Sequence, residues 1–160
     1  MNQNKLEKIV LNVGVGRLSA LPNFTEKMLP EISGELSEIA GQKPQIRQAK
    51  KSIAGFKLRA GTPVGLKATL RGLRMDRFLK KLLNVTLPRI RDFRGISKTS
   101  VDNSGNLTMG IKEHLVFPEL NPETSKVNFG LEITIVPKIQ IRNHDKAIEF
   151  YKALGVPFKK

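Results

Sequence analysis

The sequence predicts an α+β fold: a curved antiparallel β-sheet with helices packed on one face and the other face open. Several segments alternate apolar and polar residues with a period of two, as strands buried on one side do. Three others carry apolar residues at helical spacing. No strand–helix–strand pattern of the parallel kind runs through the chain, and strands with one polar face belong to antiparallel sheets covered on one side. The 160 residues, 39% of them hydrophobic, are expected to form a single domain over 1–160 and exclude disorder of the whole chain.

Residues 8–15 read as the first strand, with Ile9, Leu11, Val13 and Val15 on one side and Lys8, Val10, Asn12 and Gly14 on the other. Residues 23–40 read as a helix with Met28, Ile32, Leu36 and Ile39 on its buried stripe. Asn23 and Glu26 have the spacing of a capping box, Pro30 kinks the helix or marks the start of its regular part, and Gly41 stops it. A short strand is expected at 45–50. Residues 51–63 show no clean period and contain Gly55, Gly61 and Pro63, so a long, mobile, basic loop is expected at about 50–63.

Residues 64–71 alternate again, with Leu66, Ala68 and Leu70 inward and Lys67, Thr69 and Arg71 outward. Residues 75–87 form the clearest amphipathic helix, striped by Met75, Phe78, Leu79, Leu82 and Leu83; Asp76 suits its N-terminal end and Pro88 is expected to end it. Residues 92–106 read as irregular, with a turn at 102–105. Strands are expected at 109–117 and 127–136. In the second, Val127, Phe129, Leu131, Ile133 and Ile135 face in, while Asn128, Glu132 and Thr134 face out. Asn143 caps a closing helix whose stripe is Ala147, Ile148, Tyr151 and Leu154, and Gly155 ends it.

Charge narrows the function. The chain has 28 Lys and Arg against 14 acids, a net of +14. Residues 39–91 hold fourteen of the basic residues and one acid, Asp76, so nearly all the excess lies in one third of the chain. Charge so concentrated repels itself unless a polyanion lies nearby, which points to nucleic acid before an anionic membrane. The basic residues do not form the polar face of one apolar-backed helix, which argues against membrane binding. No apolar run reaches membrane-span length and the polar start lacks a signal segment, so a cytoplasmic location is expected.

Catalytic motifs are lacking. Without cysteine there is no disulfide, thiolate nucleophile or thiolate metal site. Gly14-Val15-Gly16 follows a strand, but Ser19 stands where a dinucleotide loop needs its third glycine. Gly61 to Lys67 lacks phosphate-loop spacing, and Gly95-Ile96-Ser97 is a fragment of a nucleophile elbow. His114 and His144 read as structural or surface residues. No cofactor is expected, and an RNA-modifying or nucleotide-using enzyme would need a constellation that the sequence does not show.

The open face is expected to present Asn12, Lys67, Thr69, Arg71, Asn128, Glu132 and Thr134, a platform suited to RNA; Glu132 reads as a hydrogen-bond acceptor for base amino groups or hydroxyls. In the basic loop, Lys50, Lys51, Lys57 and Arg59 alternate with Ile53, Phe56 and Leu58, pairing phosphate neutralisation with apolar contact to sugars or bases. Aromatic content is 6%, so recognition should lean on phosphates, 2′-hydroxyls and shape rather than stacking.

Leu11-Asn12-Val13-Gly14-Val15-Gly16, Gly41-Gln42-Lys43-Pro44 and Ala49-Lys50-Lys51-Ser52-Ile53-Ala54-Gly55-Phe56-Lys57 closely resemble the large-subunit ribosomal protein five family. So do Thr69-Leu70-Arg71-Gly72, Pro88 through Gly95, and Phe158-Lys159-Lys160, in order along almost the whole chain. The resemblance implies a non-enzymatic ribosomal protein that binds 5S rRNA in the central protuberance. Family RNA-contacting positions carry over to Asn12, Gln42, Thr69 and Arg71; Glu132 stands where the family usually has aspartate. The loop from Ala49 to Pro63, with Lys50, Lys51, Ser52, Phe56, Lys57 and Arg59, matches the segment that reaches tRNA in the peptidyl site. Further implied partners are large-subunit rRNA, neighbouring large-subunit proteins and a small-subunit head protein across an intersubunit bridge, for which residues 92–106 are the expected region. Common bacterial members carry an additional N-terminal helix, whereas this sequence begins almost at the first strand; Thr62 replaces a frequent tyrosine.

Overall fold

The computed structural model describes residues 5–160, so the first four residues of the polar start lie outside the described residues. Five antiparallel strands, β1 (Leu6–Gly14), β2 (Gln45–Gln48), β3 (Pro63–Leu70), β4 (Leu107–Ile111) and β5 (Leu131–Pro137), lie in the order β2-β3-β1-β5-β4. The sheet stays open, with β2 and β4 at its edges. The two-residue period decides which face is covered: Ile9, Leu11, Val13, Leu66, Ala68, Leu70, Ile133 and Ile135 are all buried. They join one hydrophobic cluster with Ile32, Leu36 and Ile39 of α1 (Leu29–Ala40) and Met75, Phe78 and Leu79 of α2 (Gly72–Lys81). Ala147, Ile148 and Tyr151 of the last helix (His144–Ala153) belong to the same cluster. The helices thus cover one face, as the alternation predicts.

Two prolines explain two departures from regular helix. Phe24–Met28 and Leu82–Thr86 are wound as π-helical turns, each followed at once by a Leu-Pro pair, Leu29-Pro30 and Leu87-Pro88. Proline has no N–H to donate, and its ring clashes with the carbonyl four residues back. The wider turns relieve this: Leu29 N–H donates to Phe24 O and Leu87 N–H to Leu82 O, each five residues back. Pro30 therefore marks the start of regular helix, whereas Pro88 does not end the second one. That rod continues into the short α3 (Leu87–Arg89). It also begins at Gly72, earlier than the apolar stripe predicts, so Asp76 lies beyond the first turn. The predicted capping box is absent as well: Asn23 adopts a left-handed conformation (φ 60°) and its side chain caps nothing. Asn143 does cap the closing helix, α4, its Oδ1 accepting from Lys146 N–H at 3.0 Å.

The predicted strands at 109–117 and 127–136 are too long. β4 ends at Ile111 and β5 begins at Leu131. The alternation beyond those limits is real, since Phe117, Val127 and Phe129 are buried, but these residues pack in the core without a ladder partner. His114 opens a 3₁₀ turn, fully buried and stacked 3.9 Å from the Phe129 ring. Its Nε2 lies 2.7 Å from Glu35 Oε2 on α1, a close contact that is not aligned as a hydrogen bond. Nε2 also lies 3.1 Å from Ser125 Oγ, and Nδ1 accepts from Phe129 N–H at 3.5 Å.

The turn before β4 is fixed by Asp102. Burial pushes its carboxyl up, but hydrogen bonds from Asn106 N–H and Nδ2 and from Ser104 N–H outweigh that and hold it below the ordinary 3.8. Below that turn, the buried Tyr151 hydroxyl donates to Gly105 O at 2.6 Å, with Ile135 O at 3.1 Å, and burial pushes the phenol up. Gly95 is the most constrained glycine. Its φ is +108°, and an added Cβ would stand 2.7 Å from Lys159 N and Phe158 C. Those backbone atoms are held by Ile96 N–H to Pro157 O and Lys159 N–H to Ile96 O, so they cannot yield as a flexible side chain would. Gly95→Ala is expected to destabilise the fold by about 2–3 kcal/mol in urea denaturation.

Candidate nucleic-acid interface

The uncovered face is built row by row from the strand register. One row runs Gln45, Lys67, Asn12, Glu132 and Gly110 across all five strands. The next runs Thr69, Val10, Thr134 and Thr108, with the two threonine hydroxyls of β5 and β4 3.4 Å apart. In the opposite direction, Arg47 pairs with Gly65, which pairs with Gly14. Here the sheet has almost no side chains. The result is a groove of about 790 Å³ floored by Gly14, Gly65 and Gly110, with Arg47, Lys112, Asn12, Glu132 and Thr108 on its lining. An added Cβ on Gly14 or Gly110 would meet nothing within 4 Å. This geometry lets a bulky backbone approach the sheet closely.

The residues singled out for 5S rRNA fall into two groups. Asn12, Lys67 and Glu132 share one row, and Thr69 lies in the neighbouring one. Arg71 lies one step beyond β3, still extended (φ −135°, ψ 159°) and exposed, which continues the alternation of Lys67 and Thr69. Gln42 sits at the margin of β3: its Nε2 donates to Thr69 O at 2.9 Å and its Oε1 accepts from Arg74 Nη1 at 3.3 Å. Asn128 is exposed but precedes β5, so it is not part of the sheet rows predicted for it. Four contributors escape sequence reasoning. Gln45 and Arg47 have a two-residue period that could place them, but the strand is too short to show a pattern. Thr108 precedes the strand start expected from the sequence, and Lys112 falls inside the longer strand expected there.

The predicted structureless loop is a structured arm. Residues 49–62 extend the β2–β3 hairpin: Ala49 N–H donates to Thr62 O and Gly61 N–H to Ala49 O, both at 2.8 Å, and Ile53 and Leu58 exchange both backbone hydrogen bonds. Ser52 Oγ accepts from Ala60 N–H at 2.9 Å, so Ser52 braces the arm. A 3₁₀ turn over Ala54–Phe56 and a left-handed Lys57 (φ 51°) close the tip. The apolar and glycine-rich sequence lacks a period because the pairing occurs around an irregular tip. Lys50, Lys51, Lys57 and Arg59 are all exposed, and Phe56 stands 82% exposed at the end.

Eleven of the fourteen cations of the basic third lie on three surfaces. Arg47 and Lys67 face the groove side, the four arm cations lie on the hairpin, and Arg71, Arg74, Arg77, Lys80 and Lys81 lie on or beside α2. Among the described residues of this segment, Lys81 alone pairs with an acid. Its Nζ lies 2.5 Å from Glu119 Oε1, donates to Ile39 O at 2.6 Å, and sits over the Phe78 and Phe117 rings. It is a packing residue. The remaining cations are not neutralised internally, so their repulsion favours a polyanionic partner.

Fold and surface define a class: a basic α+β protein that presents an open sheet face and a cationic arm. Residues 1–59 match the family model described as ribosomal protein L5, and residues 63–158 match the model of the C-terminus of the same ribosomal family. The chain is 49% identical over 154 residues to the large ribosomal subunit protein uL5 of Halothermothrix orenii, spanning 96% of this chain and 83% of that one. It is 52% identical over 161 residues to the large ribosomal subunit protein uL5 of Oceanobacillus iheyensis, spanning 100% of this chain and 86% of that one. The chain belongs to the ribosomal protein L5 family. It is a structural, rRNA-binding constituent of the large subunit of the cytoplasmic ribosome and not an enzyme. No helix among the described residues is long and apolar enough to cross a membrane.

Proposed function

We propose that the open sheet face binds 5S rRNA in the central protuberance, and that the hairpin arm reaches tRNA in the peptidyl site. The observation that carries the first part is the glycine-floored groove beside the Lys67–Asn12–Glu132 row. Side-chain donors and acceptors stand along that row, and bare backbone at the glycines gives a ribose–phosphate chain room. Asn12, Lys67, Thr69, Arg71 and Glu132 would contact the RNA directly. Gln42, engaged at both ends of its amide by Thr69 and Arg74, would hold that corner in place and meet RNA with its remaining hydrogen-bonding capacity. On the arm, Lys50, Lys51, Lys57 and Arg59 would neutralise phosphates, Phe56 would pack on a sugar or base, and Ser52 would keep the arm's shape. The irregular stretch 92–106 is the proposed contact to the small-subunit head protein.

Thr69→Ala and Arg71→Ala are each expected to weaken binding to isolated 5S rRNA by about 1–3 kcal/mol in filter-binding titrations. Unchanged affinity in both would remove the sheet face from the interface. Replacing residues 51–59 with a short glycine-serine turn is expected to leave 5S rRNA affinity within about threefold while reducing crosslinking to peptidyl-site tRNA on assembled ribosomes. Loss of 5S rRNA binding in that variant would show that the division between sheet and arm is wrong.

A further inference from the structure

β4 is an edge strand, and the direction of its peptide groups follows from one hydrogen bond and the register. Val15 N–H donates to Val64 O at 2.9 Å in line with β3. Odd-numbered residues of β1 therefore turn their peptide groups to β3 and even-numbered ones to β5. Asn12 pairs with Glu132 and Val10 with Thr134, so Leu131, Ile133 and Ile135 turn theirs to β4. Their partners there are Ile111, Met109 and Leu107. Thr108 and Gly110 are left directing N–H and C=O away from the sheet. The isolated bridge between Val101 and Leu107 occupies the start of this edge. Beyond it, the outward groups of Gly110 have no backbone partner among the described residues.

This edge opens into a cleft of about 640 Å³ between β4 and the chain after α3. Ile90, Ile111 and Val116 supply apolar lining, and Arg89, Arg91 and Lys112 supply three cations against one acid, Glu113. A second cavity of about 230 Å³ continues along Thr108 and Gly110 toward Phe93 and Ile96. Gly110 places no side chain over the edge.

We infer that the outer edge of β4 docks an extended acidic segment of a partner protein as an added strand. Outward donors and acceptors recur every second residue, the repeat that another extended polypeptide matches. An RNA strand offers phosphate acceptors and one 2′-hydroxyl donor per nucleotide, whereas an extended polypeptide presents an N–H and a C=O together from each edge-facing residue, as Thr108 and Gly110 do. The apolar lining suits alternate side chains of the added strand, and the three cations select acidic side chains at its exposed positions. An unpaired edge otherwise invites self-association, which the flanking charges oppose.

The test uses the isotope-labelled full chain and a blocked alternating glutamate–valine peptide, with the lysine–valine peptide and oligouridylate as comparisons. Saturation with the glutamate peptide is expected to slow hydrogen exchange at the Gly110 amide by about tenfold. The double variant Arg89→Glu/Arg91→Glu is expected to bind that peptide about tenfold more weakly, with an unchanged thermal midpoint. Absent binding, equal binding of the two peptides, an unprotected Gly110 amide, or equal protection of that amide by oligouridylate alone would each overturn the inference.

Discussion

Gly14→Glu is expected to leave the fold unchanged and to weaken 5S rRNA binding by about 3 kcal/mol, a loss of more than a hundredfold. The separation of effects comes from the geometry. Gly14 is paired with Gly65 on the open face, and a Cβ there meets nothing within 4 Å. No positive φ is required at this position, so a side chain adds no left-handed strain. The new carboxylate would project into the groove beside Asn12 and Arg47. It would fill space needed by the nucleic acid, repel phosphates, and offer Arg47 an internal counter-ion. Gly14→Ala, which adds only a methyl group, should fall between the variant and the wild type. Circular dichroism and thermal melting check the fold, and titration with 5S rRNA checks binding. Full affinity in a folded Gly14→Glu protein would place the RNA elsewhere.

His114→Ala is expected to destabilise the protein by about 4 kcal/mol in urea denaturation at neutral pH. Three losses act together. The fully buried ring leaves a cavity against Phe129, its contacts with Ser125 and Phe129 N–H disappear, and the Glu35 carboxylate loses its near neighbour. Glu35 is partly exposed and can turn toward water, which limits the electrostatic share. Glu35→Gln should therefore cost much less, about 1 kcal/mol. The 112–130 segment has a second tie one helical turn earlier on α1, where Glu31 Oε1 accepts from Lys126 N–H at 2.6 Å. With His114 gone, hydrogen exchange should rise first across that segment and not in β1. A destabilisation below about 1 kcal/mol would show that the ring is replaceable packing.

Much of this architecture is legible in the chain because the physical signals are local. Alternation over Ile9, Leu11 and Val13, over Leu66, Ala68 and Leu70, and over Leu131, Ile133 and Ile135 predicts the three inner strands and their buried side. The same alternation puts Lys67, Thr69 and Glu132 opposite the core without knowledge of any contact. It fails where burial and strand geometry part company. Val127 and Phe129 are inward and buried yet outside the ladder, because Ile111 is the last residue of β4 able to pair. The Leu-Pro pairs mark helix irregularities in sequence, but whether a helix stops or widens at proline depends on what holds the residues beyond it. Leu87, buried in the core, carries the rod past Pro88. The arm hides its pairing because its tip is built from a 3₁₀ turn and a left-handed lysine, conformations without a periodic signature.

Side-chain chemistry and spacing within short segments were therefore enough for the fold class, the covered face of each inner strand, the concentration of positive charge in one third of the chain, and the motifs of the ribosomal family. Other features emerge only once the chain is folded. Gly14, Gly65 and Gly110 form one groove floor, Gln42 is pinned between Thr69 and Arg74, Lys81 is a packing cation while its neighbours are not, and β4 has an open edge. Each depends on strand order and register, which bring together residues far apart in the chain. A local pattern carries no information about which distant backbone will lie beside it.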